Sequence, residues 1–410
     1  MATMTLPGKN GSTEYLTQEE ETANLLDAVE RIGPIITTHM DEAEERRQLS
    51  LPVLEAMTDA GLFRMMAPRS LGGLEVAPLT YAQVVEAVSR YDSTAGWSLC
   101  NPGAFAHGCS RLSDKGAEEI LGPGVSGIIS AAINPPIKAE VEEGGYRLTG
   151  RAPFVSNCHE ASWFCVTANV FDGGGPRLRD DGKPALIRVY IPIESCRIID
   201  TWSVMGMRGT GSDDVEVADV FVPSHMVTQM VPDSKLGSHY QGALYRFPIV
   251  GIVAANVGPV MLGIARNAIN EVSALAQGKT PLTSKTLLRD KSSTQAKLAQ
   301  AEAAIRSARA LLFQTLTEMW GLTTSGETVS LEQRADLLLA SANAVARSVD
   351  AVELMYNVAG STGFYTKSPL ERYFRDIQVL KQHGSVSEAR FESVGQVFLG
   401  LEPDFPALNR

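Results

Sequence analysis

Met205-Gly-Met-Arg-Gly-Thr-Gly-Ser-Asp-Asp-Val-Glu-Val217, closing with Asp219-Val-Phe-Val-Pro223, is the most informative segment of the chain. Its first half holds the cluster Arg208-Gly-Thr-Gly-Ser212, which is glycine-rich and carries two hydroxyls and one arginine. Small residues let backbone amides approach a phosphate closely, and the arginine adds charge. The same composition also makes an ordinary turn between strands. Its second half, Val215 to Val222, is rich in β-formers, so the stretch reads as a turn feeding a strand.

Outward from it, the region 126–232 keeps that character. Gly127 to Ala132, Tyr146 to Leu148, Phe164 to Asn169 and Ala185 to Ile191 are short β-rich runs. Gly144-Gly145 and Asp172-Gly173 separate two pairs of runs as hairpin turns do, and Asp172 to Lys183 reads as a surface loop. Strands at this spacing predict a small β-barrel or sandwich.

On both sides the pattern becomes helical. In the segment 17–125, Thr17 and Glu20 have capping-box spacing, and Leu25, Val29, Ile32 and Ile36 follow at helical intervals. Pro34 is expected to kink or end that helix. A second helix opens near Ser50 with Pro52 in its first turn, and a third runs from Tyr81 to Arg90. In the segment 245–404, the spacings of Leu298, Ala301, Ile305, Ala308, Leu312, Leu316 and Met319 are helical, and those of Leu338, Ala342, Val345, Val349, Val352 and Tyr356 repeat them. Gly321 to Glu327 reads as the loop joining these two helices into an antiparallel pair. The class is α+β: helical domain 17–125, β domain 126–232, helical bundle 245–404.

Bulk properties narrow the function classes. The 410 residues carry a formal net charge of −11, which argues against a nucleic-acid partner. Cys100, Cys109, Cys158, Cys165 and Cys196 lack a C-x-x-C pair and read as free thiols, with no metal site expected. The polar start, Met1 to Glu19, does not read as a signal peptide, and the longest apolar run, Phe247 to Ala255, is too short to span a bilayer. A cytoplasmic protein with no membrane partner is the expectation. No G-x-G-x-x-G lies between a strand and a helix, so no nicotinamide site is expected.

Local sequences make the layout specific. Gly61-Leu62-Phe63 with Pro68 and Gly72-Gly73, the Met205–Pro223 stretch, Leu262-Gly-Ile-Ala-Arg266 and Leu370-Glu-Arg-Tyr-Phe-Arg-Asp376 resemble, in order, segments of the acyl-CoA dehydrogenases. The resemblance covers roughly residues 20–404. It implies an N-terminal helical domain, a β domain, a C-terminal four-helix bundle, a flavin (FMN or FAD) and a homotetramer. It also implies that Ser156, in Phe154-Val-Ser-Asn157, sets its hydroxyl beside the flavin N5 with the Phe154 ring nearby. Thr210, Ser212 and Arg208 then lie near the flavin, and Trp202 reads as core or as a wall of that site.

The sequence departs from the dehydrogenases at their catalytic base. The glutamate expected eight residues after Asp376 is Gly384, and no Asp or Glu occurs from Ser234 to Asn270, where some members place it instead. Glu388 comes four residues too late. His383 stands beside the vacancy, as in the monooxygenase branch of the family. There a reduced flavin reacts with O2 to a C4a-hydroperoxide that survives only when water is excluded and N5 keeps its proton. In that reading Ser156 guards N5 and His383 steadies the peroxide; a helix-end histidine bonded to a carbonyl is the plainer alternative.

Ser93-Thr-Ala-Gly-Trp97 followed by His107 resembles the stretch lining the hydroxylases' substrate pocket, so Trp97 walls the pocket and His107 orients substrate. A merely buried, satisfied histidine is equally consistent with His107. His159 could edge the flavin site, whereas His39, His225 and His239 read as surface. The implied activity is hydroxylation of a small aromatic compound with O2, using reduced flavin from a separate NAD(P)H-dependent reductase. A dehydrogenase or oxidase with a displaced base, and a non-catalytic flavin-binding paralogue, are the alternatives.

Overall fold

The computed structural model describes residues 17–230 and 235–409; the polar segment 1–16 lies outside the described residues. The capping box forms as its spacing predicts. The Thr17 hydroxyl accepts from the Glu20 amide at 3.2 Å, and the Glu20 carboxylate accepts from the Thr17 amide at 2.8 Å. They launch α1, Gln18–Arg46. The expected end at Pro34 does not occur. Pro34 faces solvent, where the carbonyl its ring deprives of a donor can be hydrated, and the helix runs through it. Then come α2 (Leu51–Asp59, Pro52 in its first turn), α3 (Pro78–Ser89), α4 (Ser93–Trp97), α5 (Cys100–Gly108) and α6 (Asp114–Leu121).

The strands are β1 (Ile129–Glu142), β2 (Gly145–Ala152), β3 (Trp163–Asp172), β4 (Gly175–Pro176), β5 (Leu186–Pro192), β6 (Arg197–Ile199), β7 (Asp214–Pro223) and β8 (Val227–Gln229). They make one continuous sheet in the order β6-β7-β2-β1-β3-β5-β8, with β4 folding back on β3. Gly144 and Gly173 turn the β1–β2 and β3–β4 hairpins, both at positive φ. β1 and β3 pair in parallel, and β3 is buried nearly throughout its length, as a central strand covered on both faces should be.

The C-terminal helices are α7 (Ile249–Gly278), α8 (Ser292–Ser325), α9 (Leu331–Ala359), α10 (Pro369–Leu380) and α11 (Ala389–Phe398). The expected loop at Gly321 is helix instead. The backbone ladder runs on to Ser325, and the hydroxyls of Thr323 and Thr324 are accommodated on it by donating to the carbonyls of Met319 and Trp320 at 2.8 and 3.0 Å. Gly326, at φ +85°, is the true stop. α7 has the length and composition to cross a membrane, with a mean hydropathy of 1.7 over its most apolar window. With 83% of that window buried inside the protein, it is a core helix. Gly263 lets α3 close on α7: a Cβ there would lie 2.6 Å from the Ser89 Cβ and 2.9 Å from the Glu86 carbonyl.

By packing, the chain forms two compact units. The sheet unit takes the residues up to Val76, Ser98–Ser203 and Arg208–Arg246. The helical unit takes Ala77–Trp97, Val204–Met207 and the chain from Phe247 onward. The boundaries 17–125, 126–232 and 245–404 describe chain order; packing assigns α3 and α4 to the C-terminal helices.

Candidate functional site

Within the sheet unit, antiparallel pairing of β2 with β7 ends at Ala152 opposite Val215, so the residues after β2 face those before β7. The Asn157 amide donates to the Thr210 carbonyl at 2.9 Å, and the Val155 amide to the Asp213 carbonyl at 3.1 Å. This brings three hydroxyls into one buried chain: Ser156 Oγ and Ser212 Oγ are 2.7 Å apart, as are Thr210 Oγ1 and Ser212 Oγ. The turn is tight enough to put Phe154 and Asn157 at φ 60° and 62°. Phe154 is thereby pushed out to 70% exposure, edge-on to Trp202 at 6.4 Å between centroids. An aromatic ring held out of the core beside a polar cradle offers a face to a planar ligand.

Asp213 organises the cradle, a role the sequence reading missed. Its carboxylate accepts from the amides of Thr201 and Trp202 at 2.7 and 2.8 Å and from His159 Nε2 at 2.7 Å. Burial raises its pKa, but those three donors outweigh burial and the net direction is down. Cys158, His159 and Asp213 bring their ligand atoms within 4.8 Å of one another. Yet the Cys158 thiol, its pKa pushed up to about 12 by burial, donates to the Gly211 carbonyl, so the trio is already satisfied by hydrogen bonds. By contrast, Asn157 Oδ1 and Nδ2 and Arg208 Nε are buried without a partner among the described residues. Buried polar atoms left unpaired ask for a polar ligand, and these lie among the residues expected at the flavin.

His107, on α5, is also in the sheet unit. Its Nε2–H donates to the Leu244 carbonyl at 3.1 Å, and its ring lies 5.8 Å from Tyr245. Burial, helped by the charges of Arg111 and Arg188, lowers its pKa to about 4. It is therefore neutral at pH 7, with Nδ1 as the acceptor. The buried, satisfied histidine and the proton acceptor are thus two sides of one ring. A histidine whose folded pKa is depressed contributes stability that is present above its unfolded pKa and lost as pH falls. The slope of Tm against pH between about 6.5 and 4 should therefore be shallower in His107→Gln than in the wild type. An unchanged slope would show that the ring is not held neutral.

The helical unit holds the other expected residues, and it brings two of them together. The rings of Trp97 and His383 meet edge-on at 5.2 Å. His383 Nδ1 accepts a long 3.4 Å bond from the Ser385 amide, which leaves the proton on Nε2. Surrounding protein lowers its pKa to about 4, while its exposed ring admits water that moderates the depression. On either account it is neutral at pH 7 and an Nε2–H donor. Beside it, Gly384 has nothing within 4 Å of where a side chain would start. His39, His225 and His239 are half-buried, each beside a glutamate at 2.9–3.1 Å, rather than free on the surface.

The Met205–Met207 end of the signature is clamped to α10. Asp376, buried, accepts from the Met207 amide at 2.6 Å and from the Ser93 hydroxyl, and Arg375 donates to the Met205 carbonyl. A Cβ on Gly206 would come within 2.5 Å of the Arg375 carbonyl.

Comparison with known proteins agrees with this layout. Residues 19–119 match the acyl-CoA dehydrogenase N-terminal domain and residues 255–388 the acyl-CoA dehydrogenase C-terminal domain. Indole-3-acetate monooxygenase of Pseudomonas putida is 30% identical over 365 residues, covering 89% of this chain and 90% of that protein. The flavin-dependent monooxygenase oxygenase subunit HsaA of Rhodococcus jostii is 26% identical, covering 86% of this chain and 92% of its own. In fold, the chain is similar to XiaF from Streptomyces sp., solved in complex with FADH2 and glycerol, with a TM-score of 0.87 at 24% identity over 95% of this chain and 98% of that one.

Proposed function

The chain belongs to the acyl-CoA dehydrogenase family, and on that premise we propose that it is the oxygenase of a two-component flavin-dependent monooxygenase acting on a small aromatic substrate. The observation that carries the reading is the loop after α10. Where the dehydrogenases' base would stand there is Gly384, and next to it a neutral His383 presents an N–H from against Trp97. No acid lies between Lys235 and Asn270 to replace the base. Removing a weakly acidic α-proton needs a placed carboxylate, and stabilising a bound oxygen species needs a donor. The loop supplies the second and not the first.

The buried cradle fits a flavin, with Phe154 and Trp202 against the ring system and Ser156, Thr210, Ser212, Asn157 and Arg208 offering its polar contacts. Reduced FMN or FAD bound there would supply oxygen transfer from O2 through its C4a-hydroperoxide. Ser156 keeps the N5 proton in place through the hydroxyl chain it forms with Ser212 and Thr210. His383 donates from Nε2 to the oxygen being transferred, and the Trp97 ring fixes its orientation. His107, neutral, orients the substrate, with Nδ1 as the acceptor for a hydroxyl or N–H on its ring. A separate NAD(P)H-dependent flavin reductase supplies the reduced flavin, in keeping with relatives named as oxygenase subunits. A cytoplasmic homotetramer completes the reading.

Stopped-flow mixing of the protein, loaded with reduced FMN or FAD, with oxygenated buffer tests this. A long-lived oxygenated-flavin absorbance, decaying faster with substrate, is expected. In Ser156→Ala its lifetime should fall by roughly five- to tenfold, the effect of one lost hydrogen bond. Reoxidation at the rate of free flavin, together with anaerobic bleaching of the oxidised protein by an acyl-CoA, would return the chain to the dehydrogenases.

A further inference from the structure

We propose that Ser93 and Asp376 are a positioning pair: the hydrogen bond between them sets α4 against α10 so that Trp97 meets His383. The chemical use of that meeting rests on the monooxygenase reading, whereas the pairing itself belongs to the helical unit and is tested apart from it.

The two contacts are rungs of one ladder. Ser93 and Trp97 are the first and last residues of α4, four apart, and so lie on one face of its single turn. Asp376 lies in α10, and the turn runs on past Leu380. The amides of Lys381 and His383 donate to the carbonyls of Ile377 and Leu380 at 3.1 and 3.0 Å. Asp376, Leu380 and His383, spaced 4 and 3, therefore form one row. The Ser93 hydroxyl donates to Asp376 Oδ2 at one end, and the rings of Trp97 and His383 meet at 5.2 Å at the other.

A five-residue helix does not fix its own place, because a lone turn is unstable without outside contacts. Asp92 caps α4, its carboxylate accepting from the Ala95 amide at 2.9 Å. Gly96 seats it on α3: a Cβ there would come within 1.9 Å of the Ser89 hydroxyl and 2.9 Å of the Ser89 Cβ. Neither contact reaches α10. Ser93 supplies that one.

Burying a carboxylate as deeply as Asp376, 3% exposed, is costly, and for stability alone an apolar residue would serve as well. What the carboxylate adds is direction. Its Oδ1 accepts from the Met207 amide at 2.6 Å while Oδ2 accepts from Ser93. One group thus holds two segments to the helix that leads to His383: the turn carrying Trp97 and the residue before Arg208. A proton donor needs such support, since a displacement of about 1 Å costs on the order of a hundredfold in rate.

The test uses flavin-loaded protein labelled with 5-fluorotryptophan, whose four tryptophans give separate fluorine resonances, that of Trp97 being identified by Trp97→Phe. In Ser93→Ala the Trp97 resonance should move towards its position in His383→Ala, with the flavin Kd within about twofold of wild type. The lifetime of the oxygenated-flavin absorbance should fall about tenfold, the effect of one lost charge-assisted hydrogen bond. Asp376→Asn should hold the Trp97 resonance in place, because its amide can donate to the Ser93 oxygen while Oδ1 still accepts from Met207. A Trp97 resonance unmoved in Ser93→Ala, or moved with the lifetime unchanged, overturns the pairing. So does an equal displacement in Asp376→Asn, which would make the charge the cause, or a tenfold loss of flavin affinity in Ser93→Ala, which would mark general loosening. If the monooxygenase reading alone is wrong, the wild type shows no long-lived absorbance while the Trp97 resonance still responds to Ser93→Ala, and the pairing stands.

Discussion

Replacing His383 by alanine should leave flavin affinity close to wild type and cut product formation about a hundredfold or more, the usual cost of a lost proton donor at the reacting atom. Oxygen should still be consumed, released as hydrogen peroxide, so product formed per reduced flavin falls much further than the rate of reoxidation. The expectation follows from three observations on one ring. Trp97 holds it edge-on at 5.2 Å, Ser385 occupies Nδ1, and its lowered pKa keeps it neutral. A neutral imidazole with its proton on Nε2 donates at every pH above its lowered pKa, so coupling in the wild type should be nearly flat from pH 7 to 8. Coupling that is unchanged in His383→Ala would remove this residue from the reaction.

Gly206→Ala should be among the most destabilising single changes, by about 3 kcal/mol or more, because the clash is with main chain. The new Cβ would lie 2.5 Å from the Arg375 carbonyl and 2.7 Å from the Asp376 amide, in the middle of α10. Side chains could move aside, but a helix backbone cannot without losing the Asp376 bonds to Met207 and Ser93. The matched control is Gly384→Ala, where nothing stands within 4 Å and a change within about 0.5 kcal/mol is expected. Thermal melts of the two variants decide it: equal midpoints would mean that α10 yields and the clamp is soft.

What was legible in the sequence was mostly local. The Thr17–Glu20 capping box, the Pro52 helix start and the glycine hairpins at 144 and 173 each declare themselves within a few residues. Gly321 misled because it looks like punctuation, whereas a single exposed glycine costs a helix only about 1 kcal/mol and the left-handed Gly326 is what ends it. Sheet order was not legible, since the parallel β1–β3 pairing joins segments separated by the whole of β2. The same division holds at the site. Ser156, Thr210 and Ser212 could be picked from two motifs, but their meeting depends on the β2–β7 register. Asp213 sat unremarked inside the quoted signature. The Ser93–Asp376 pair gave no signal: the two lie 283 residues apart, and only the three-dimensional arrangement joins them.

The helical unit is assembled from separated parts of the chain, and the order of synthesis turns that into a constraint. α3 buries Tyr81, Val84, Val85 and Val88 completely, with Ser89 and Glu86 set against Gly263 of α7. On a ribosome adding about 5–20 residues per second, α3 emerges on the order of ten seconds before the α7 surface that covers it. Through that interval an apolar helix face must wait uncovered while the whole sheet is being made. A fragment beginning at residue 245 would carry the complementary defect, with α7 complete and its α3 partner missing. The helical unit therefore cannot complete its packing until α7 has left the ribosome.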